Sequence, residues 1–170
     1  PFENGIPAHP LYLDIEPTNI CNFSCTFCEG KHQTTRPRGN MEMSTYRRII
    51  SDATMSGVMG IRFLRWGEPL LHPDIVTMVD GAHAAGLKTH ITTNGSLLTV
   101  EMIQRLIDAG LDSIIISFQG VTQQEYEHFR GDHYDEVMDH ITNLVHCRDK
   151  TSAENPYIAI STTVTDETPV

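Results

Sequence analysis

Three cysteines fall within eight positions of the stretch "TNICNFSCTFCEG": Cys21, Cys25 and Cys28, with Cys147 far away from them. Four cysteines in 170 residues are too few and too unevenly placed for a disulfide framework, so metal or redox chemistry is the use this spacing points to. His32 follows the last thiol of the group by four positions, and the set is compatible with a Cys3His zinc site. Cys147 falls on a helical stripe and reads as a structural thiol. The histidines His72, His83, His90 and His128 read as solvated or capping side chains.

The elements that must position these residues alternate between strand and helix. "LYLDI" (11–15) reads as a strand. Ser44 can cap a helix in which Tyr46, Ile49, Ile50 and Ala53 share a face, with Gly57 at its stop. "IRFL" (61–64) is a second strand. A helix through Ile75, Val79, Ala82 and Ala85 follows, ended by Gly86, and then the strand "LKTHIT" (87–92). Thr99 can cap a third helix through Ile103, Leu106 and Ile107, stopped by Gly110. "SIIIS" (113–117) is short, apolar and β-branched, as expected of a parallel strand covered on both faces. Thr122 and Glu125 have capping-box spacing, and Val137, Met138, Ile141, Leu144 and Val145 continue a helical stripe. "YIAISTTV" (157–164) is the fifth strand. Gly57, Gly86 and Gly110 recur at the spacing of a βα unit. Such repeats either close into a barrel or spread as a doubly wound sheet, and in both cases ligands gather beyond the carboxyl ends of the strands. The cysteines, "WGEP" (66–69), "TTNG" (92–95) and "SFQG" (117–120) all fall on that edge.

Composition narrows the partners. With 39% hydrophobic and 20% charged residues the chain has a globular profile, and one domain over 1–170 is expected, after an irregular lead-in at 1–10. A formal net charge of -10 argues against non-specific binding to nucleic acid or anionic lipid, both of which need clustered Lys and Arg. There is no apolar run long enough to span a membrane, and "PFENGIPAHP" lacks the layout of a signal peptide, so a cytoplasmic location is expected.

The sequence resembles the radical S-adenosylmethionine (radical SAM) enzymes. The resemblance rests on Cys21-x-x-x-Cys25-x-x-Cys28 with Phe27 before the last cysteine, on Gly67-Glu68-Pro69 after the second strand, on Thr93-Asn94-Gly95 after the third, and on Ser117 ending the fourth. It covers about Leu11 to Val164 and is nearest to the branch with a C-terminal auxiliary-cluster (SPASM-type) domain. It implies an α/β fold, a partial (β/α)6 barrel with about five βα units, whose C-terminal part lies beyond Val170. It also implies a 4Fe-4S cluster on Cys21, Cys25 and Cys28, with S-adenosylmethionine on the iron that three thiolates leave open. By the same resemblance Gly67 and Glu68 receive the methionine amino group, Arg130 the methionine carboxylate and Ser117 the ribose hydroxyls. The backbone at Phe27 contacts adenine, and Asn94 lines the pocket. The implied partners are a low-potential electron donor such as flavodoxin or ferredoxin and a peptide or small-molecule substrate.

Two positions depart from the family pattern. Trp66 stands where the first glycine of Gly-Gly-Glu-Pro is usual, and Gln119 where an aspartate is common two residues after the serine. A zinc-binding structural module, or an iron–sulfur module used only for electron transfer, is the alternative reading.

Overall fold

The computed structural model describes residues 2–3, 6–7, 9–32, 35–151 and 154–163. Within the lead-in read as irregular, β1 (Phe2–Glu3) and β2 (Ile6–Pro7) pair antiparallel. The remaining strands are β3 (Tyr12–Ile15), β4 (Gly60–Phe63), β5 (Lys88–Thr93), β6 (Ser113–Phe118) and β7 (Tyr157–Thr162). The expected end of the last strand, Val164, lies outside the described residues. The helices are α1 (Met43–Met55), α2 (Ile75–Ala84), α3 (Val100–Asp108), α4 (Gln123–Arg130) and α5 (Tyr134–Lys150).

Strands β3 to β7 form one parallel sheet in unbroken sequential order. Right-handed crossovers in a sheet that never reverses its order place every helix on the same face, which is how a barrel winds and a doubly wound sheet does not. The burial alternation agrees. Ile15, Phe63, Ile91 and Ile114 are register partners across four strands, and all are buried beneath the helices with Val79, Ile103 and Leu106. The next row, Asp14, Arg62, His90 and Ser113, faces the other way and is exposed or half-exposed. The expectation that β6 is covered on both faces is therefore corrected. Ile114, Ile116 and Phe118 are buried, while Ser113, Ile115 and Ser117 line an open face.

The stop glycines work as expected. After α2 the Leu87 amide donates to the Ala82 carbonyl at 3.0 Å and Gly86 donates to His83, with Gly86 at φ 78° and Leu87 buried. This is a Schellman turn with its apolar contact, and the same pair of bonds closes α1 and α3. Each turn feeds the chain directly into the next strand, so helix length fixes where that strand's far end, and the site on it, will lie. The cap of α1 differs from the sequence reading. Glu42 occupies the N-cap position and Ser44 lies inside the first turn, with no side-chain cap. Thr99 and the Thr122/Glu125 capping box are formed as read. Among the described residues no helix is long and apolar enough to cross a membrane.

Candidate active site

The rim is assembled by close backbone approach. The turn after β4 presses on the segment leading into the cysteines: the Glu68 amide donates to the Ile20 carbonyl at 2.8 Å, and a Cβ built on Gly67 would lie 1.9 Å from the Thr18 oxygen. Only a residue without a side chain fits there. Gly67→Ala is expected to lower unfolding stability by at least the upper end of roughly 1–3 kcal/mol, because the obstacle is backbone and cannot rotate aside. Chemical denaturation of the two apo proteins checks this; equal stability would mean the turn does not grip the loop.

Glu68 is buried, 2% exposed, and its carboxylate accepts three hydrogen bonds. Leu70 N–H and the Thr93 hydroxyl donate to Oε1 at 3.1 and 2.7 Å, and Asn94 N–H donates to Oε2 at 2.7 Å. Burial pushes the carboxyl above its ordinary range, against the pull of those donors and of the Arg130 charge. The fold thus holds this proton more tightly than the unfolded chain does. The stability it contributes is complete below the ordinary glutamate value and is lost as pH climbs through the raised one. Apo-protein stability should fall across that window, and Glu68→Gln should flatten the slope; an unchanged slope would assign it to another group.

Asn94 continues the network towards the cysteines. Its Nδ2 donates to Asn22 Oδ1 at 3.0 Å, and its Oδ1 accepts from the Ser96 amide and hydroxyl. Asn22 Nδ2 in turn donates to Ser96 Oγ at 2.8 Å. Asn22 sits between Cys21 and Cys25, so the loop is tied to the ends of β4 and β5 through one polar chain. Asn22 and Ser96 escaped the sequence reading, which names Thr93 only within its motif, without a role. The one available signal was that Asn22 lies inside the cysteine motif itself.

The far side of the loop is held by α4. Phe129 carbonyl, at the helix end, accepts from Thr26 N–H at 2.9 Å, and Phe27 packs edge-on against Phe129 with ring centroids 6.0 Å apart. Arg130 is buried and reaches inward. Its Nη1 lies 3.6 Å from Cys25 Sγ, its Nη2 donates to Ser117 Oγ at 2.7 Å, and its guanidinium carbon stands 5.5 Å from the Phe27 ring centroid. Arg130 Nε is buried and has no hydrogen-bond partner among the described residues.

Cys21, Cys25 and Cys28 line one cleft of about 120 Å³ with Gly30, Arg38 and Trp66. Burial pushes the Cys21 thiol up, and the charges of Glu68, Cys25 and Cys28 push it further. Three thiolates here repel one another unless a cationic group binds between them. Among the described residues no three His, Cys, Asp or Glu side chains converge tightly enough for a single metal ion, and His32 is exposed. A cluster instead takes each thiolate on a different iron, so the donor set fits a 4Fe-4S group.

The two departures find their places. Trp66 turns outward over Gly30, where an added Cβ would meet the Trp66 Cβ at 2.8 Å, and the residue is 41% exposed. Gln119 is fully buried. Its Oε1 accepts from Thr163 N–H at 3.0 Å and its Nε2 donates to the Thr163 carbonyl, so the amide closes β6 onto the end of β7. A carboxylate could accept there but not donate. Cys147 packs on the core, and His72 is buried with both ring nitrogens engaged, by Met41 O and Asp74 N.

Residues 15–152 match the family described as the radical SAM superfamily. The chain is 32% identical over 126 residues to the PqqA peptide cyclase of Gluconobacter oxydans, covering 74% of this chain and 35% of that protein. It is 31% identical over 122 residues to the AdoMet-dependent heme synthase of Methanosarcina barkeri, covering 72% and 35%. It thus spans about a third of the length of these curated relatives. Among solved structures, Streptococcus suis SuiB bound to precursor peptide SuiA superposes with a TM-score of 0.66 at 20% identity, covering 92% of this chain and 40% of that one. BtrN in complex with AdoMet and 2-DOIA gives 0.64 at 18%, covering 91% and 70%. At such identities these two establish the fold.

Proposed function

The chain belongs to the radical SAM superfamily, and from that membership we propose that it forms the core of an enzyme acting on a peptide. When bound, the 4Fe-4S cluster and S-adenosylmethionine of this family supply reductive cleavage of the sulfonium bond and a 5'-deoxyadenosyl radical that abstracts hydrogen. The supporting observation within the chain is the convergence of Arg130 on both Cys25 and Ser117, which joins the cysteine loop to the β6 rim.

The chain's own residues divide the work. Cys21, Cys25 and Cys28 would hold the cluster through three thiolates, which leaves it open to S-adenosylmethionine. The unpartnered Nε of Arg130 offers a donor to the methionine carboxylate, and the guanidinium charge balances it. Glu68 Oε2 keeps acceptor capacity beyond its bond to Asn94 for the methionine ammonium, beside the Gly67 carbonyl. Ser117 serves the ribose hydroxyls, the Phe27 backbone serves adenine, and Asn94 keeps the loop in register with Glu68. Substrate is assigned to the open face of the sheet towards the carboxyl ends of the strands, on the side of Ile115 and Ser117; the hollow of about 510 Å³ lined by Tyr12, Lys88, Asp112 and Asn155 lies at the opposite, amino ends. Two relatives are named for or solved with peptides, which favours a peptide over a small metabolite or sugar.

Anaerobic reconstitution with iron and sulfide tests the reading. We expect about four irons per chain and absorbance near ~400 nm, bleached by air. Dithionite and S-adenosylmethionine should then yield 5'-deoxyadenosine, faster with a peptide substrate. Stoichiometric zinc with no iron uptake would overturn it.

A further inference from the structure

The turn that carries Asn94 is held from behind by α5. His140 Nδ1 lies 2.9 Å from the Gly95 carbonyl oxygen, and a carbonyl only accepts, so Nδ1 carries the proton whether the ring is neutral or charged. One helical turn earlier, Val137 is fully buried against the same glycine: a Cβ built on Gly95 would meet its Cγ1 at 3.1 Å. Gly95 also has φ 85°, so the turn is both left-handed and crowded, and glycine meets both demands.

The carbonyl does not need His140 to satisfy it. Leu98 N–H already donates to that oxygen at 3.3 Å and closes the turn, so burial calls for no second donor. The imidazole adds a fixed position for the turn relative to α5. Both neighbours of Gly95 pass that position on. Asn94 N–H donates to Glu68 Oε2 at 2.7 Å, Asn94 Nδ2 donates to Asn22 Oδ1 at 3.0 Å, and Ser96 Oγ accepts from Asn22 Nδ2 at 2.8 Å. His140 is half-buried beside the apolar stripe of Val137, Ile141 and Leu144, where another apolar residue would pack but would aim no donor at the turn.

We infer that His140 is a positioning residue for the S-adenosylmethionine site: through Gly95 and Asn94 it sets where the Glu68 carboxylate stands relative to the cysteine loop. The inference rests on the reading of Glu68 as the acceptor of the methionine ammonium. His140 acts on that carboxylate by geometry, and no proton moves.

The test compares His140→Leu, which keeps bulk and removes the donor, with His140→Asn, whose Nδ2 stands where the imidazole Nδ1 does. In the apo proteins, amide hydrogen exchange at Asn94 should be faster in His140→Leu and near the unmutated rate in His140→Asn. In the reconstituted proteins, with equal iron content, calorimetric affinity for S-adenosylmethionine should fall roughly 2- to 10-fold in His140→Leu, the scale of one neutral hydrogen bond, and recover in His140→Asn. Leu144→Ala, which opens the core under the same helix one turn further on, should lower unfolding stability and leave the affinity unchanged. Should His140→Leu not fold, His140→Gln, whose amide reaches one bond too far, takes its place and must show the loss. Unmutated affinity in the donor-less variant would overturn the assignment. So would equal losses with and without the restored donor, an equal loss in Leu144→Ala, or loss of iron uptake in both His140 variants, because each reduces His140 to general support of the fold. Unmutated affinity in Glu68→Gln, with His140 intact, would overturn the Glu68 reading first, and the positioning role with it.

Discussion

Cys21→Ala, Cys25→Ala and Cys28→Ala should each abolish stable cluster assembly, whereas Cys147→Ala should leave it intact. Two remaining thiolates leave two irons of the cuboid without protein ligands, and exchange with solvent then dismantles it. The structure predicts that the three are not equal in what else they disturb. Cys25 is 7% exposed and lies against Arg130, so its loss leaves a buried guanidinium short of a partner. Cys25→Ala should also destabilise the apo protein, unlike Cys21→Ala and Cys28→Ala at half-buried positions. Iron and sulfide per chain after anaerobic reconstitution, beside denaturation of the apo proteins, separate the two effects. A Cys147 variant that lost the cluster, or a triplet variant that kept it, would refute the ligand assignment.

Glu68→Ala carries the second large effect, and the structure changes what it measures. Read as a cofactor residue alone, Glu68 contributes one charge-assisted hydrogen bond, about 1.5–3 kcal/mol or roughly 10- to 150-fold in S-adenosylmethionine affinity. Its carboxylate also satisfies Leu70, Thr93 and Asn94 in a buried site. Alanine leaves those three donors facing a cavity, so the apo protein should lose roughly 3–5 kcal/mol as well. Glu68→Gln separates the roles. Its amide oxygen can still accept from Leu70 and Thr93, but the amide nitrogen confronts the Asn94 N–H and offers nothing to an ammonium. Calorimetric binding of S-adenosylmethionine to the reconstituted variants, with iron content confirmed, should show weakened affinity in both, and denaturation of the apo proteins a larger stability loss in Glu68→Ala than in Glu68→Gln. Wild-type affinity in Glu68→Gln would remove the β4 rim from the cofactor site.

The chain's order of elements was legible because each is written locally. The glycines after α1, α2 and α3 end helices through bonds spanning six residues or fewer, so "AAGL" and "DAGL" carry their turns wherever they occur. The Thr122/Glu125 capping box is local for the same reason. Ser44 misled because a good capping residue sits two positions inside α1, where the chain arriving from the cysteine loop sets the helix start. The outward face of β6 misled because β-branched residues promise burial without saying on how many sides.

Sequence alone determined that three thiols fall within eight positions, the α/β class and the carboxyl-edge location of the unusual residues, since residue identity and short spacing suffice for each. Only the tertiary structure decided that the sheet keeps sequential order with its helices on one face, and that Asn22, Asn94 and Glu68 form one chain. It alone brought Arg130 across 105 residues to Cys25, and put Gly67 so near Thr18 that a methyl group would not fit. These are contacts between segments far apart in sequence. Their geometry is fixed by how the helices pack against the sheet, a property no local window contains.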